Sequence, residues 1–328
     1  MPASATIQEL FPTLVLGLRE SEVDVLAELA TPLRLRPGDR LFEHGEPAGD
    51  LAVVVEGALE VAVPPDVVLG HKARGEWAGD LAFLHPGPAN ATVRATATTE
   101  VLTLPQSALD ALAPYPRVVG RLWTALARNL ASRLRSCMSQ CACAGPTGPE
   151  ALRGALATLH GIPPVHEPTT WVPSMHPAPV QGEVDVRAAR ELLVKRLAEV
   201  EVFGPLDRKF LTLLARAAVF SAYAQGETIM HEGDDRDRLY LILDGRVDVA
   251  LPRRLAGCGS SQELQTGEML GQLSFVDGGP RPSTCTAAEP TLLAAWYPAM
   301  IEEFLRLGAD GGVAAVHFLH WVTRQIAR

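Results

Sequence analysis

The 328-residue chain lacks the features that would place it in a membrane or in a disulfide framework. It has no apolar run of about eighteen residues, the length that predicts a membrane-spanning helix, and its N-terminus has no basic segment followed by a long apolar core. Its five cysteines are odd in number, which together with the missing export signal favours reduced thiols. These absences predict a soluble cytoplasmic protein with no membrane span.

Basic residues are too scattered to predict a nucleic-acid partner. The formal net charge is -9, and no stripe of Lys and Arg stands out that would neutralise a phosphate backbone. Of the 29 basic residues only Lys72, Lys195 and Lys209 are lysines. This shortage, with the abundance of Ala, Pro and Gly, indicates a GC-rich genome and favours a bacterial source.

Motifs of catalysis and of metal binding are also missing. The chain has no G-x-S-x-G, P-loop, H-E-x-x-H or kinase signature, which argues against an enzyme. Cys137, Cys141 and Cys143 precede several histidines, and thiolates and imidazoles are zinc ligands, but their spacing matches no zinc module. We therefore expect no metal and no cofactor, and whether this cysteine cluster binds anything stays open.

An internal repeat is the most informative feature that is present. In a first block Gly38 aligns with Gly226 at an offset of 188 (226 minus 38), and three further pairs keep that offset: Gly45 with Gly233, Gly57 with Gly245, and Pro64 with Pro252. In a second block Gly75 aligns with Gly267 at an offset of 192 (267 minus 75). A unit repeated in this way predicts two domains of the same fold, with a length difference in one loop.

Within each copy, short apolar stretches alternate with polar residues and are punctuated by glycine. This pattern predicts half-buried strands joined by turns, hence a β-roll. After each roll, apolar residues recur at helical spacing and predict a closing helix. Their positions are Val119, Leu122, Trp123, Leu126 and Leu130 in the first copy, and Ala315, Phe318, Leu319, Val322 and Ile326 in the second. Between the copies, residues 136–184 are rich in Pro, Gly and Cys and predict a linker.

The order of helix, glycine-punctuated roll, G-x-L turn and closing helix resembles the cyclic nucleotide-binding domain family. The resemblance implies a mainly β fold with flanking helices, made of two double-stranded β-helix (jelly-roll-like) domains. We expect a first domain over 1–135 with a degenerate pocket, the linker over 136–184, and a second domain over 185–328 with a connecting helix and the closing helix.

In this family a phosphate cassette usually reads G-E-L, followed by an arginine nine residues after the glutamate. The resemblance assigns Gly271, Leu273, Arg281 and Ser283 of the second domain to phosphate binding, and Gln272 to the ribose. Arginine suits a phosphate because its guanidinium is planar and always charged. Gln272 lacks the charge of glutamate, and Pro282 has no N–H to offer the phosphate, a loss for which the Ser283 hydroxyl can compensate.

The first domain keeps the turn but not the charge. Its corresponding residues are Gly79, Asp80 and Leu81, with Ala89 at the arginine position, followed by Asn90. Losing a charged hydrogen bond costs roughly 1.5–3 kcal/mol, and Asp80 adds negative charge with no cation expected opposite it. We therefore expect a degenerate pocket.

The resemblance also implies an aromatic lid over the purine, for which Trp321 on the closing helix is the candidate. The alternative is that Trp321 packs on a neighbouring domain or on a second chain. A homodimer through the closing helices, over residues 313–326, is a further expectation.

Four functions were compared on these residues. The first is a non-enzymatic regulator that binds cAMP or cGMP in its second domain and signals to an unidentified protein partner. The second is a ligand-independent docking module with degenerate pockets. A transcription factor is less consistent with the sequence because no helix-turn-helix follows the closing helix. An enzyme is less consistent with it because no catalytic motif occurs.

Overall fold

The computed structural model describes residues 3–85, 87–143, 184–235, 237–250, 262–306 and 309–326. They fall into two compact units, one over 3–140 and one over 184–326. The predicted linker lies outside the described residues from 144 to 183, so the domain boundaries stay predictions. None of the helices in the described ranges is long and apolar enough to cross a membrane.

The first unit is a β-roll with helices before, within and after it. The helices are α1 (Ala3–Leu10), α2 (Pro12–Val15), α3 (Glu20–Leu29), α4 (Asp80–Leu84), α5 (Ala108–Leu112) and α6 (Pro116–Cys143). The strands are β1 (Thr31–Leu35), β2 (Arg40–Phe42), β3 (Pro47–Ala48), β4 (Leu51–Glu56), β5 (Leu59–Val63), β6 (Val67–Lys72), β7 (Trp77–Ala78), β8 (Gly87–Pro88), β9 (Thr92–Ala95) and β10 (Thr99–Leu104). They form antiparallel sheets in the orders β1-β10-β4-β7, β2-β9-β5-β6 and β3-β8.

The second unit repeats this arrangement. Its helices are α7 (Val186–Ala198), α8 (Arg208–Ala217), α9 (Gln272–Asp277), α10 (Ala299–Arg306) and α11 (Ala309–Ile326), with a 3₁₀ turn over Glu201–Phe203. Its strands are β11 (Val219–Tyr223), β12 (Thr228–Met230), β13 (Leu239–Asp244), β14 (Arg246–Ala250), β15 (Gln262–Gln265), β16 (Met269–Leu270), β17 (Thr284–Ala287) and β18 (Thr291–Trp296). The sheet orders are β11-β18-β13-β16 and β12-β17-β14-β15.

In both units each four-stranded sheet takes its strands from distant parts of the chain. In each unit the first strand pairs with the last in one sheet, and the second strand pairs with the last but one in the other sheet. This interleaving is the topology of a double-stranded β-helix, so the predicted fold class is confirmed for both units.

Each roll encloses its own apolar core. Successive side chains along a strand point to opposite faces of the sheet, and those that point inward meet between the two sheets. In the first unit these include Val54, Val61 and Val101, and in the second Ile242 and Leu293.

The repeat extends to the detail of one turn. Gly57 and Gly245 have φ of +88° and +95°, a region that glycine adopts without strain. Beside each glycine a buried threonine hydroxyl, on Thr99 and Thr291, donates to a backbone carbonyl at 3.0 Å.

The closing helices α6 and α11 bury the apolar faces predicted for them, since all ten residues named above are less than one-tenth exposed. Helix α6 continues to Cys143, beyond the predicted boundary at 135. Its continuation agrees with the sequence, because no proline or glycine lies between Gly120 and Gly145 to end it.

Candidate functional site

Each roll has a sharp turn that leads into a short helix. Gly79 precedes α4 and Gly271 precedes α9, with φ of +82° and +86°. A Cβ would lie 2.3 Å from the Asp50 carbonyl oxygen in the first turn, and 2.3 Å from the Arg281 Nη1 atom in the second. Glycine is therefore required at both turns by conformation and by space.

The loops after these helices place Ala89 and Arg281 at equivalent positions. The amide of Gly45 donates to the Ala89 carbonyl, and the amide of Gly233 donates to the Arg281 carbonyl, each at 2.9 Å. The backbone thus confirms the alignment at which the first domain has alanine and the second has arginine.

Arg281 is buried beside the turn at Gly271. The residue is 1% exposed, and its guanidinium donates from Nη1 to the Gly271 carbonyl at 3.0 Å and from Nη2 to the Arg238 carbonyl at 2.6 Å. The Nε atom is buried and has no hydrogen-bond partner among the described residues. Burial lowers the pKa of Arg281 from its ordinary value, with smaller opposing contributions from Tyr240 and other neighbours.

The other residues predicted for this cassette do not contact Arg281 through hydrogen bonds but have partners of their own. Gln272 donates from its side-chain amide to the Met269 carbonyl at 3.1 Å, so its amide is engaged by the backbone of the same turn. Ser283 hydrogen-bonds with Cys285, whose burial raises the thiol pKa to about 11. Leu273 is half-buried on α9. The structure therefore brings Arg281 and Gly271 into contact, whereas Gln272 and Ser283 have other partners.

Trp321 does not stand as a lid in this conformation. It is 3% exposed and packs edge-on against Phe203, Trp296 and Phe318, with ring centroids 5.2 to 6.4 Å apart. All of these rings belong to the second unit, so Trp321 packs inside its own domain rather than on a neighbouring one. The role of Trp321 as a purine lid stays a prediction.

The first domain contains a small open cavity at its cassette. All five residues predicted for this pocket line it: Gly79, Asp80, Leu81, Ala89 and Asn90. Apolar side chains of Phe42, Val61 and Trp77 form part of the wall. Since alanine replaces arginine here, no side chain from position 89 fills the space.

Asp80 has a cation opposite it, contrary to the sequence-based expectation. Its carboxylate forms a buried ion pair with Arg133 of the closing helix α6 and accepts a hydrogen bond from the Asn129 amide at 3.1 Å. Arg133 is 2% exposed and also lines the cavity. The spacing of Arg133 from Leu126 and Leu130 placed it on the buried face of α6, a signal that would have identified it.

Metal-binding clusters were sought in the part of the chain that the structure describes. No group of three or more His, Cys, Asp or Glu residues there is arranged to hold a metal ion. The side chains of Cys137, Cys141 and Cys143 are outside the described part, so the cysteine cluster stays untested.

Two double-stranded β-helices, each with a glycine-led cassette helix and a closing helix, define a tandem of ligand-binding domains. The chain belongs to the cyclic nucleotide-binding domain family, whose model matches residues 32–114 and 220–306. Both cassettes lie inside the matched ranges.

Several known proteins are similar to parts of the chain. A cGMP-dependent protein kinase of Eimeria tenella is 30% identical over 96 residues, which are 29% of this chain and 9% of the kinase. A cyclic nucleotide-gated potassium channel of Rhizobium etli is 30% identical over 101 residues, 31% of this chain and 27% of the channel. This chain therefore matches less than a third of the length of either relative.

Among solved structures, the regulatory domain of Toxoplasma gondii PKA with cAMP is 14% identical. The match covers 94% of this chain and 94% of that one, with a TM-score of 0.31.

Proposed function

We propose that the chain is a non-enzymatic regulator that binds a cyclic nucleotide, cAMP or cGMP, in its second domain and transmits binding to a protein partner. The observation that carries the proposal is Arg281, a buried guanidinium at the family's phosphate position whose Nε has no hydrogen-bond partner. Among the described residues no carboxylate lies within ion-pair distance of it. A buried cation whose contacts are two neutral carbonyl groups and the Tyr240 ring is ready to accept an anion.

Binding of a phosphate would exchange weak partners for a strong one. The two carbonyl groups that now accept from Arg281 are neutral, whereas a cyclic phosphate carries a full negative charge. The guanidinium gains further when its acceptor is charged as well, because two parallel N–H···O bonds can form to one phosphate. The exchange releases the Gly271 carbonyl at the start of α9, so it alters the contacts of the cassette helix.

An aromatic contact links the cassette helix to the closing helix. Phe275 on α9 lies edge-on to Phe318 on α11, with ring centroids 6.1 Å apart. Both rings are buried, so a displacement of α9 is passed to α11 through close packing. The ligand shifts the closing helix only as far as its affinities for the two states differ.

Calorimetric titration of cAMP and of cGMP tests the proposal. We expect heat of binding with the wild type and at least a tenfold weaker affinity for Arg281→Ala, as expected for the loss of a charged hydrogen bond of about 1.5–3 kcal/mol. Arg246→Ala is the matched control, because it removes the same charge from an exposed position on β14. No heat with either nucleotide at millimolar concentration would refute nucleotide binding.

Folding of the Arg281 variant needs its own check, because two buried carbonyls lose their donor. Arg281→Lys keeps a cation and fills more of the space than alanine, but it lacks the planar fork. We expect it to stay folded by circular dichroism and to bind the nucleotide less tightly than the wild type.

The second candidate is a docking module that needs no ligand. It is favoured by the Gln272 amide, which is engaged by its own backbone, and by Pro282, which has no N–H. If a partner protein binds equally well with and without nucleotide, the docking module is the better description.

The remaining expectations belong with this proposal. A cytoplasmic location, a bacterial source and a homodimer through residues 313–326 are consistent with it. The apolar face of α11 is already buried within the second unit, so a dimer has to use the remaining surface of that helix. Light scattering of the purified chain distinguishes a dimer from a monomer.

A further inference from the structure

We propose that the first unit binds a small, uncharged aromatic molecule in an apolar cavity between its N-terminal helices and the roll. Side chains of α1, α2 and α3 line one side of this cavity, and Leu51 of β4, Leu104 of β10 and Leu122 of α6 line the other. Of its lining residues, Trp77 alone also borders the cassette cavity. The proposal is independent of nucleotide binding in the second domain.

The wall of this apolar cavity excludes a charged ligand. Among the described residues that line it, no charged side chain occurs. The hydroxyl of Thr103, which also lines it, donates to the Thr31 carbonyl at 3.1 Å and is therefore engaged. Cavities lined by aliphatic and aromatic side chains hold water poorly and can take up molecules such as benzene. An uncharged, apolar ligand is therefore favoured.

The second unit has an aromatic residue at the equivalent place in its roll. Leu104 pairs with Leu51 across β10 and β4, and Trp296 pairs with Leu239 across β18 and β13. Leu104 and Trp296 are also the last residues of their strands. The two residues are therefore equivalent, with an isobutyl group in the first roll and an indole in the second.

The Trp296 indole bridges the sheet and the helix that precedes the second roll. The side chain is fully buried, and its Nε1 atom donates to the Leu214 carbonyl of α8 at 2.9 Å. Leu214 occupies the same position in α8 as Leu26 does in α3. In the first unit, Leu26 and Leu104 both line the apolar cavity. The first unit therefore has a cavity where the second has an indole ring.

The closing helices differ in the same direction. Phe318 of α11 lies edge-on to Trp296, with ring centroids 5.1 Å apart, and Leu122 has the corresponding place on the apolar face of α6. Two rings of the second unit thus correspond to two leucines that line the cavity. Since protein interiors are closely packed and relax only partly around a smaller side chain, the space of a ring stays open.

Two aromatic side chains on the cavity wall favour an aromatic ligand over an aliphatic one. Phe11 and Trp77 both line the cavity, with ring centroids 4.6 Å apart. Aromatic rings gain energy from edge-to-face and offset contacts beyond the burial of their area. Because both rings are only half-buried, they also mark the side from which a ligand can enter.

Isoleucine methyl NMR of the full chain tests the proposal. Ile7 lines the cavity, whereas Ile242 lies in the core of the second roll and serves as the internal control. The probes are indole and benzoate, which separate an uncharged from a charged aromatic molecule. We expect millimolar indole to shift the Ile7 methyl signal saturably through its ring current, and benzoate to cause no saturable shift.

Three variants locate the response. Leu104→Trp installs the residue of the second roll, and we expect it to fold and to weaken indole binding at least tenfold. Leu122→Phe installs the smaller ring of Phe318 and is the second variant should the larger ring impair folding; it should also weaken binding. Val67→Trp is the matched control, because it adds an indole on β6 at a position that is 53% exposed and outside the cavity.

Four results would overturn the proposal. The Ile7 signal does not respond to indole, or Ile7 and Ile242 respond alike. Benzoate is as effective as indole, which would show that the wall does not select against charge. Neither Leu104→Trp nor Leu122→Phe weakens the response, which would place indole somewhere other than this cavity.

Discussion

At the scale of the residue, the two domains each bury a cation, and they stabilise it differently. Arg281 donates to two carbonyl oxygens, at 2.6 and 3.0 Å. Lys72 relies on the carboxylates of Asp80 and Glu76, which lie too far away to form an ion pair with it. Because a buried charge must be matched or neutralised, burial of Lys72 is less favourable than burial of Arg281.

The substitution Lys72→Leu measures the free-energy cost of burying this ammonium, because that cost depends on pH. Folding lowers the pKa of Lys72. In the pH range between the folded and the unfolded pKa, the unfolded chain therefore keeps a proton on this side chain that the folded chain has lost. Stability of the wild type therefore rises with pH as it approaches the ordinary value of 10.5. We expect the variant to be more stable by about 1–3 kcal/mol at pH 7, and this advantage to shrink towards pH 10.5.

Guanidinium unfolding at several pH values measures the difference. The gain in apolar burial from leucine is independent of pH. Only the change with pH of the stability difference between variant and wild type therefore reports on the charge. An advantage that stays constant from neutral to alkaline pH would contradict the lowered pKa.

At the scale of the element, the cassette turns depend on glycine for two separable reasons. Gly271→Ala would bring a Cβ to 2.7 Å from the Arg238 carbonyl oxygen and 2.3 Å from Arg281 Nη1, at a φ of +86°. Backbone strain alone costs about 1–3 kcal/mol. We expect a larger loss of stability than this, together with displacement of the Arg281 guanidinium.

Gly226→Ala is the matched control for this prediction. Its φ of +83° is nearly the same, but a Cβ there would meet nothing within 4 Å. Thermal unfolding of both variants separates strain from steric overlap. Equal losses in the two would mean that the close contacts at Gly271 do not matter.

A buried ion pair between Asp80 and Arg133 joins helices α4 and α6. Removing one member of the buried Asp80–Arg133 pair leaves the other charge uncompensated, a loss of about 3–5 kcal/mol. We expect Asp80→Asn and Arg133→Met each to destabilise strongly, and the double variant to lose less than the sum.

Chemical unfolding of the single and double variants completes a double-mutant cycle. The exposed pair Arg40–Glu43 is the control, because solvent screens it and its removal changes stability little. Additive losses for Asp80 and Arg133 would show that the two side chains are not coupled.

The elements themselves could be predicted from the sequence because their signals are local. Alternating apolar residues and turn glycines such as Gly57 repeat in both copies, and they identify the strands without reference to the rest of the chain. Helical spacing also places Arg133 on the buried face of α6. It does not show that Asp80 is the partner, since the two residues lie on different elements and meet only when α6 packs on the roll.

At the scale of the whole molecule, the chain contains two rolls of one topology, each with a separate core. Charged groups distinguish them: Arg281 in one, and Lys72 with Arg133 in the other. The shared backbone pattern accounts for the family match in both units.

Scanning calorimetry can test this division. Because a ligand stabilises only the folded state that binds it, we expect saturating cyclic nucleotide to raise the unfolding temperature of the second unit. At a concentration about 100 times the dissociation constant, the stabilisation is about 2.7 kcal/mol. Arg281→Lys should show a smaller shift, and an equal shift in wild type and variant would contradict the assignment of the ligand to Arg281.

The equivalence of Ala89 with Arg281 also has an evolutionary meaning. Once a gene segment has been duplicated, a roll whose turns are maintained by glycines and buried threonines tolerates exchange of individual side chains around its cavity. The two copies can therefore share one backbone while the side chains around their cassettes diverge, as Ala89 and Arg281 have done at equivalent positions.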